Sequence, residues 1–230
     1  MFIETFNKIS IASIVLLILF FVTCIIECVL AFVEKEKYRR IVKPFCLGFL
    51  TAFTAVSLPN HPLIYIATFL GMLGDIFVIL PNKKFFYLGA FAFFLGFVSY
   101  ALEGLRVLAE GNIPIFMMVI IGVTYVVMVV TFGFFIGPRI APNMGEAVGI
   151  GLYLSPLVTL LPVFSYLTFH IGYFMFLSLI GVTFFLISDL TITYTKFIKK
   201  FKRYDFYVMS TYLIGQCLIV LGFVLTYFAK

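Results

Sequence analysis

Long apolar runs alternate with short polar or Pro/Gly-containing segments along almost the whole chain. Each run is long enough to cross the hydrocarbon core of a bilayer, roughly 30 Å thick, which takes about 20 residues as a helix. The pattern therefore predicts an all-α polytopic membrane protein, a bundle of about eight transmembrane helices that forms one transmembrane domain over residues 1–230. The predicted spans lie near 10–33, 42–58, 63–80, 86–108, 113–136, 146–167, 171–195 and 206–228.

Pro and Gly mark the connections and one irregular span. The two shortest connections, 59–62 and 168–170, are predicted to be tight hairpin turns. Pro156 and Pro162 interrupt the sixth span and are expected to kink it, which a membrane helix tolerates when neighbours satisfy the freed carbonyls. The first run, Ile9 to Val33, is too long for a signal-peptide core and is followed by no small-residue cleavage pattern. We expect it to stay in the mature protein.

Composition supports lipid as the main solvent of this protein. The 230 residues are 63% apolar and 11% charged, and the mean hydropathy is +1.19, which is too apolar for a water-soluble globule. Eight spans leave only short connections and no room for a soluble domain. All four cysteines fall inside apolar runs, where a thiol behaves as a small apolar side chain.

Basic residues are distributed very unevenly between the two sets of alternate connections. Thirteen of the 16 lie in or beside the odd-numbered connections, and Lys8, Arg106 and Lys230 lie on the opposite side. Positively charged short loops stay in the cytoplasm, so we expect the odd-numbered connections to be cytoplasmic. The net charge of +6 then reflects a basic rim that faces anionic lipid head groups, and no nucleic-acid partner is expected.

Four carboxyl groups lie inside predicted spans: Glu27, Asp75, Glu103 and Asp189. A charge at mid-bilayer costs about 2.5 to 3.5 kcal/mol on insertion scales, so each invites a functional hypothesis. Glu27, Asp75 and Asp189 stand six or seven residues from the basic ends of their spans, which places them in one layer roughly 9 to 11 Å below the boundary. Lys43 belongs to the same half of the membrane.

Two interpretations of this layer are open. Asp75, Asp189 and Lys43 could form a buried network that only fixes helix packing. Alternatively, two aspartates at one depth could divide the roles of acid and base, with the ammonium group of Lys43 holding one of them ionised or meeting an anionic group of a substrate. Glu27 could also belong to the site, or its side chain could extend to the interface.

Other polar residues add to this picture in different ways. Glu103 is followed at i+3 by Arg106, so a structural ion pair near the exterior boundary is expected. Tyr153, Ser188, Tyr212 and Gln216 could line a cavity beside the aspartates, or could make interhelical hydrogen bonds only.

Neither a metal nor an organic cofactor is expected. The two histidines, His61 and His170, fall in connections on the side opposite the aspartates, which excludes a three-histidine zinc centre. No Ser or Cys has a histidine within plausible reach, and the sequence contains no nucleotide-binding glycine motif.

The strings around these residues resemble the YhhN-like lysoplasmalogenase family. The resemblance runs in order through spans two to eight and rests on Val42-Lys43-Pro44, Gly74-Asp75 within 71–80, Phe185-Leu186-Ile187-Ser188-Asp189, and 211–216 with its Thr-Tyr and Gln. The family tends to carry a histidine three residues before the tyrosine of span four, and here Phe97 stands at that position before Tyr100. Tyr153 matches the tyrosine of span six loosely.

The resemblance implies an eight-helix hydrolase that cleaves the vinyl ether bond of lysoplasmalogens, releasing a fatty aldehyde and glycerophosphocholine or glycerophosphoethanolamine. A lysophospholipid from the bilayer is then the expected substrate, and the endoplasmic reticulum or another internal membrane the expected location. Vinyl ether hydrolysis needs a proton donor, a base and negative charge beside an oxocarbenium ion, so we expect Asp75 and Asp189 to carry it. Which is acid and which is base stays open here.

Two other functions compete with the hydrolase. Asp75, Asp189 and Glu27 could carry protons or cations through a transporter, although no internal repeat or paired broken helices are evident. The presence of Phe97 in place of the family histidine instead favours an inactive homologue that only binds lipid.

Overall fold

The computed structural model describes residues 10–109, 115–141 and 143–229, and within these ranges it contains helices and no strands. Eight of the helices are long and apolar enough to cross a membrane. The prediction of an all-α polytopic membrane protein is therefore confirmed. We label the helices α1 Ile11–Phe32, α2 Glu36–Ser57, α3 Pro62–Ile79, α4 Lys83–Ala109, α5 Ile115–Val130, α6 Met144–His170, α7 Met175–Phe197 and α8 Tyr204–Ala229.

Two boundaries differ from the sequence prediction for identifiable physical reasons. The helix α2 begins at Glu36 rather than near residue 42, because the charged segment is helical around the buried side chain of Arg39. The predicted turn at 168–170 is wrong, since α6 continues to His170 and the chain turns after it. The imidazole ring of His170 stacks on Tyr166 one turn earlier, at 3.8 Å between ring centroids, which keeps this segment helical.

The helix α5 ends irregularly. It continues into a π-helical segment, Thr131–Ile136, and then into a short α-helix, Gly137–Ile140. A side chain at Gly137 would collide with the carbonyl oxygen of Phe132, five residues earlier, so this wide turn depends on glycine. The start of the predicted fifth span at 113 lies outside the described residues.

Consecutive helices pack side by side from α1 to α4. The fourth helix then packs against α6 rather than α5, and α6, α7 and α8 again pack in chain order. The last helix returns to α1 and α2, so that these seven helices form a closed bundle. The fifth helix packs on the outer side of α6 and exposes most of its residues. The helices α6 and α8 contain the largest numbers of buried residues, so they form the centre of the bundle.

The helices α7 and α8 approach each other closely through small residues. A Cβ atom at Gly181 would lie 2.7 Å from the carbonyl oxygen of Gly215, and one at Gly215 would lie 2.8 Å from that of Gly181. The Ser178 hydroxyl donates a hydrogen bond of 2.8 Å to the carbonyl oxygen of Ile219 across the same contact. Such close packing is the principal source of helix association in a bilayer.

The two prolines do not end α6, which runs continuously through Pro156 and Pro162. Because Pro156 has no N–H group, the carbonyl of Leu152 loses its helical donor. The hydroxyl of Ser155 donates to that carbonyl at 2.9 Å. A neighbouring side chain therefore replaces the missing hydrogen bond.

Antiparallel helices place the α1–α2, α3–α4, α5–α6 and α7–α8 connections at one end of the bundle, which we call the basic end. Arg106 lies at the opposite end, where its guanidinium is half exposed. Lys8 and Lys230 lie outside the described residues. A cytoplasmic location of the basic end remains a prediction.

Candidate active site

A cavity of about 530 Å³ lies between the helices in the half of the bundle next to the basic end. Its walls are mostly apolar and come from α2, α3, α4, α6, α7 and α8. Beside it, a second cavity of about 660 Å³ shares residues such as Phe86, Tyr87 and Lys196 and reaches the α3–α4 connection. The first cavity therefore extends from the bundle interior to the basic end.

The carboxyl group of Asp75 has a partner on each oxygen. It is almost fully buried on α3, and the ammonium nitrogen of Lys43 on α2 lies 3.0 Å from Oδ1. The hydroxyl of Tyr212 on α8 donates a 2.9 Å hydrogen bond to Oδ2. Three helices thus meet at one charge-compensated carboxylate.

Close packing of α3 makes room for this cluster. A Cβ atom at Gly71, one turn before Asp75, would lie 2.8 Å from a methyl carbon of Leu47 and 3.3 Å from the amide nitrogen of Gln216. One at Gly74 would lie 2.8 Å from the ring of Phe93. The glycines let α2, α4 and α8 approach α3 around the carboxylate.

Asp189 is equally buried but has a different environment. Its Oδ2 accepts a 2.8 Å hydrogen bond from the hydroxyl of Tyr153 on α6. In the described part of the chain no Lys or Arg side chain lies within ion-pairing distance of Asp189, and no hydrogen bond joins it to Asp75. The two aspartates therefore line one cavity but have different partners. Asp75 is paired with a cation, whereas Asp189 is hydrogen-bonded to a neutral hydroxyl.

The remaining predicted site residues divide into two groups. Ser188 lines the cavity, but its hydroxyl donates to the carbonyl oxygen of Val208 at 3.1 Å and so joins α7 to α8. Tyr100 and Gln216 are buried away from the cavity lining, and the Tyr100 hydroxyl donates to Oε1 of Gln216 at 2.8 Å. The structure thus brings six of the predicted residues to the cavity: Lys43, Asp75, Tyr153, Ser188, Asp189 and Tyr212.

Phe97 lies in the aromatic packing behind the site. It is 1% exposed, and its ring contacts those of Tyr153 and Phe185 edge to face, at centroid distances of 5.9 and 4.8 Å. Phe185 in turn contacts the ring of Tyr212 at 5.1 Å. The side chain at this position therefore touches Tyr153 and does not line the cavity.

Glu27 belongs to a different cluster and does not extend to the interface as one expectation had it. The side chain is fully buried, and the Nε atom of Arg39 donates to it at 3.0 Å. Arg39 also contacts the carboxylates of Glu36 and Asp205, at 2.6 and 3.4 Å. This network joins α1, α2 and α8 outside the cavity.

Glu103 has closer partners than the predicted one. Arg106 lies 4.0 Å from Oε2, whereas Oε1 is 2.8 Å from Nδ1 of His61 and accepts a 2.7 Å hydrogen bond from the hydroxyl of Tyr227. The ring of His61 also stacks on Tyr227, with centroids 3.6 Å apart. The sequence pattern does not predict this cluster because its members lie far apart along the chain.

The mouth of the cavity contains further residues that were not predicted from the sequence, among them Tyr87, Glu146 and Lys196. The spacing of the chain does point to two of them, because Glu146 lies seven residues before Tyr153 and Lys196 lies seven residues after Asp189. A separation of seven residues returns to the same face of a helix after two turns. Among the described residues, no three His, Cys, Asp or Glu side chains come together in a way that could hold a metal ion.

Comparison with known protein families identifies a relationship. The profile of the YhhN family matches residues 38–223, from the first turns of α2 to the last turns of α8. The matched region contains every residue that lines the cavity and leaves α1 outside. Neither a curated protein nor a solved structure matches the chain.

Proposed function

This chain belongs to the YhhN family, and from that premise we propose that it is a membrane-embedded hydrolase that cleaves the vinyl ether bond of lysoplasmalogens. The products are a fatty aldehyde and glycerophosphocholine or glycerophosphoethanolamine. The observation that carries the proposal is that two buried aspartates, Asp75 and Asp189, line one mostly apolar cavity. An enzyme that adds water to a lipid needs such a combination of an apolar wall and acid–base groups.

The reaction begins with protonation of the alkenyl carbon that is not bound to oxygen. This step breaks the carbon–carbon double bond and leaves an oxocarbenium ion. Water then adds to the cationic carbon and loses a proton to a carboxylate, giving a hemiacetal. Collapse of the hemiacetal moves a proton to the glycerol oxygen, breaks the carbon–oxygen bond and releases the aldehyde. One water is consumed, and both carboxyl groups return to their starting state.

We assign proton donation to Asp189. Its carboxyl group accepts a hydrogen bond from the neutral hydroxyl of Tyr153, and within the described ranges no Lys or Arg side chain forms an ion pair with it. A buried carboxyl group in such a place is held at lower cost with its proton than as an isolated charge. After it has donated the proton, Asp189 is the base that accepts one from water.

Asp75 supplies the negative charge that stabilises the oxocarbenium ion. Lys43 at 3.0 Å and Tyr212 at 2.9 Å hold it as a carboxylate in a fixed orientation. A preorganised negative charge stabilises the oxocarbenium ion as it forms. Lys43 then acts by compensating the charge of Asp75.

Substrate access follows from the shape of the cavity and the charge of its surroundings. The mostly apolar walls accommodate the alkenyl chain, while the opening at the basic end faces the head-group region. With the basic connections on the cytoplasmic side, the substrate is a single-chain lipid from the cytoplasmic leaflet of an internal membrane.

Aldehyde release from lysoplasmalogen by detergent-purified protein tests this function. We expect activity for the wild type and a fall in kcat of at least about a hundredfold for Asp75→Asn and Asp189→Asn. Glu103→Gln is the matched control, because it alters a buried carboxyl group outside the cavity and is expected to stay within a few-fold of wild type. In D2O, the aldehyde should carry one deuterium on the carbon next to the carbonyl.

Two results would contradict the proposal in different ways. Folded wild-type protein that binds lysoplasmalogen without releasing aldehyde would be a lipid-binding homologue rather than an enzyme. Full activity in both Asn variants would leave the enzyme in place but remove Asp75 and Asp189 as its catalytic groups.

A further inference from the structure

Two helices carry matching pairs of polar residues from the interior of the cavity to its mouth. On α7, Asp189 is followed seven residues later by Lys196, and on α6, Tyr153 is preceded seven residues earlier by Glu146. The inner members of the two pairs are hydrogen-bonded to each other. The outer members, one basic and one acidic, both line the mouth and stand about 10.5 Å further towards the basic end.

The side chains at the mouth already bind a cation. The ammonium nitrogen of Lys196 lies 3.3 Å from the centre of the Phe86 ring and 5.6 Å from that of Tyr87. Aromatic faces at these distances attract ammonium groups, including quaternary ones. The mouth thus contains a negative charge and aromatic rings that suit one ligand group, and the positive charge of Lys196, which suits another.

Glu146 is positioned to receive a ligand cation. It is half-buried in the first turn of α6, where the side chain of Asn143 caps the helix. Its Oε1 accepts two long hydrogen bonds, of 3.4 Å from the Tyr87 hydroxyl and 3.5 Å from Asn143. These contacts orient the carboxylate towards the cavity mouth and are weak enough for it to accept further donors.

The spacing fits the head group of a zwitterionic lysophospholipid. In an extended chain each bond advances about 1.2 Å, so phosphorus lies about 6 Å and the head-group nitrogen about 11 Å from the vinyl ether oxygen. A vinyl ether at Asp189 would therefore place the ammonium group near the level of Glu146. The phosphate would lie between the two levels, within reach of the flexible four-carbon side chain of Lys196.

We propose that Glu146, with Tyr87 and Phe86, and Lys196 form a head-group subsite that selects zwitterionic lysophospholipids, with the ammonium group on Glu146 and the phosphate on Lys196. This inference rests on the proposed function for the position of the vinyl ether bond. A phosphate monoester head group, which lacks the ammonium group and carries more negative charge, meets the carboxylate of Glu146 without compensation. The subsite thus disfavours it.

Steady-state kinetics with three lysoplasmalogens test the subsite. They share one alkenyl chain and carry a phosphocholine, a phosphoethanolamine or a phosphate monoester head group. We expect Glu146→Gln to raise KM about tenfold for the two zwitterionic substrates and to lower KM for the monoester, because the repulsion is removed, so that the preference disappears. Lys196→Met should raise KM for all three about tenfold. Neither variant should alter kcat. Lys199→Met, an exposed lysine in the α7–α8 connection, is the matched control and should match the wild type.

Binding of saturated alkyl-ether lysophospholipids with the same three head groups separates this inference from the proposed function, because these lipids cannot be cleaved. If the wild type releases no aldehyde but the variants still show the head-group-dependent loss of binding, the hydrolase fails and the subsite stands. If aldehyde is released but Glu146→Gln changes all three substrates equally, or either variant behaves like Lys199→Met, the subsite is overturned.

Discussion

The ion pair between Lys43 and Asp75 allows stability and catalysis to be separated by a double-mutant cycle. Its charged atoms are 3.0 Å apart, and the side chains are 14% and 2% exposed, so water screens the pair little. Removing one partner of a buried pair leaves an uncompensated charge and costs about 3 to 5 kcal/mol. Because Lys43 is slightly exposed, we expect Lys43→Met to cost about 3 kcal/mol, at the lower end of that range.

Asp75→Asn should cost less, about 2 kcal/mol, because the amide keeps polar contacts with Tyr212 and Lys43. In the double variant Lys43→Met with Asp75→Asn no unpaired charge remains, so we expect a loss of about 2 kcal/mol rather than the sum of about 5 kcal/mol. The coupling energy is then about 3 kcal/mol. The double variant should nevertheless be inactive, because the carboxylate of Asp75 is absent.

The cycle can be measured by titrating SDS into mixed micelles and following helix content by circular dichroism, since the chain has no Trp. Aldehyde release is measured on the same preparations. Lys37→Met, an exposed lysine on α2, is the control for loss of a positive charge at the basic end. Additive destabilisation by Lys43→Met and Asp75→Asn would refute the ion-pair reasoning, and activity in the double variant would refute the role of Asp75.

Three further predictions concern other contacts. Gly181→Ala should lower stability by about 1 to 3 kcal/mol in the same titration, because its Cβ would lie 2.7 Å from backbone atoms of α8. Gly122→Ala is the control and should cost less, because a Cβ atom there meets no atom within 4 Å. Arg39→Gln should lower stability by about 3 kcal/mol, because it leaves the buried carboxylate of Glu27 without its ion-pair partner. An equal effect of Arg40→Gln, which alters an exposed neighbour, would contradict this. Tyr153→Phe should lower kcat for aldehyde release about tenfold or more, because the proton-donating carboxyl group loses its orienting hydrogen bond. The loss of that bond should cost about 1 kcal/mol of stability. Wild-type kcat would show that this bond does not matter.

The helix boundaries show which features of the fold cannot be predicted from the local sequence. Hydropathy places the eight spans because lipid requires a long apolar run from each of them. It misjudges the start of α2, since the charged residue Arg39 is buried in that helix and pairs there with carboxylates that include Glu27 on α1. It likewise places a turn at 168–170, although ring stacking of His170 on Tyr166 keeps the segment helical.

The candidate site also combines a feature that the sequence predicts, the depth of the carboxyl groups, with one that it does not, the direction of each side chain. Counting residues predicts a common depth for Asp75, Asp189 and Glu27 in the membrane, because every helical residue rises 1.5 Å. Depth alone does not say which way a side chain points. Glu27 lies on the side of α1 that faces Arg39, so it pairs there and not with the aspartates of the cavity.

Hydropathy and helical rise are local properties, so the number of spans and the charged end of the bundle follow from the chain alone, as does the predicted layer of the intramembrane carboxyl groups. The partners of the carboxyl groups emerge only on folding: Lys43 and Tyr212 for Asp75, and Tyr153 for Asp189. The rotation of each helix about its axis depends on how its neighbours pack, and contacts between distant segments set that packing.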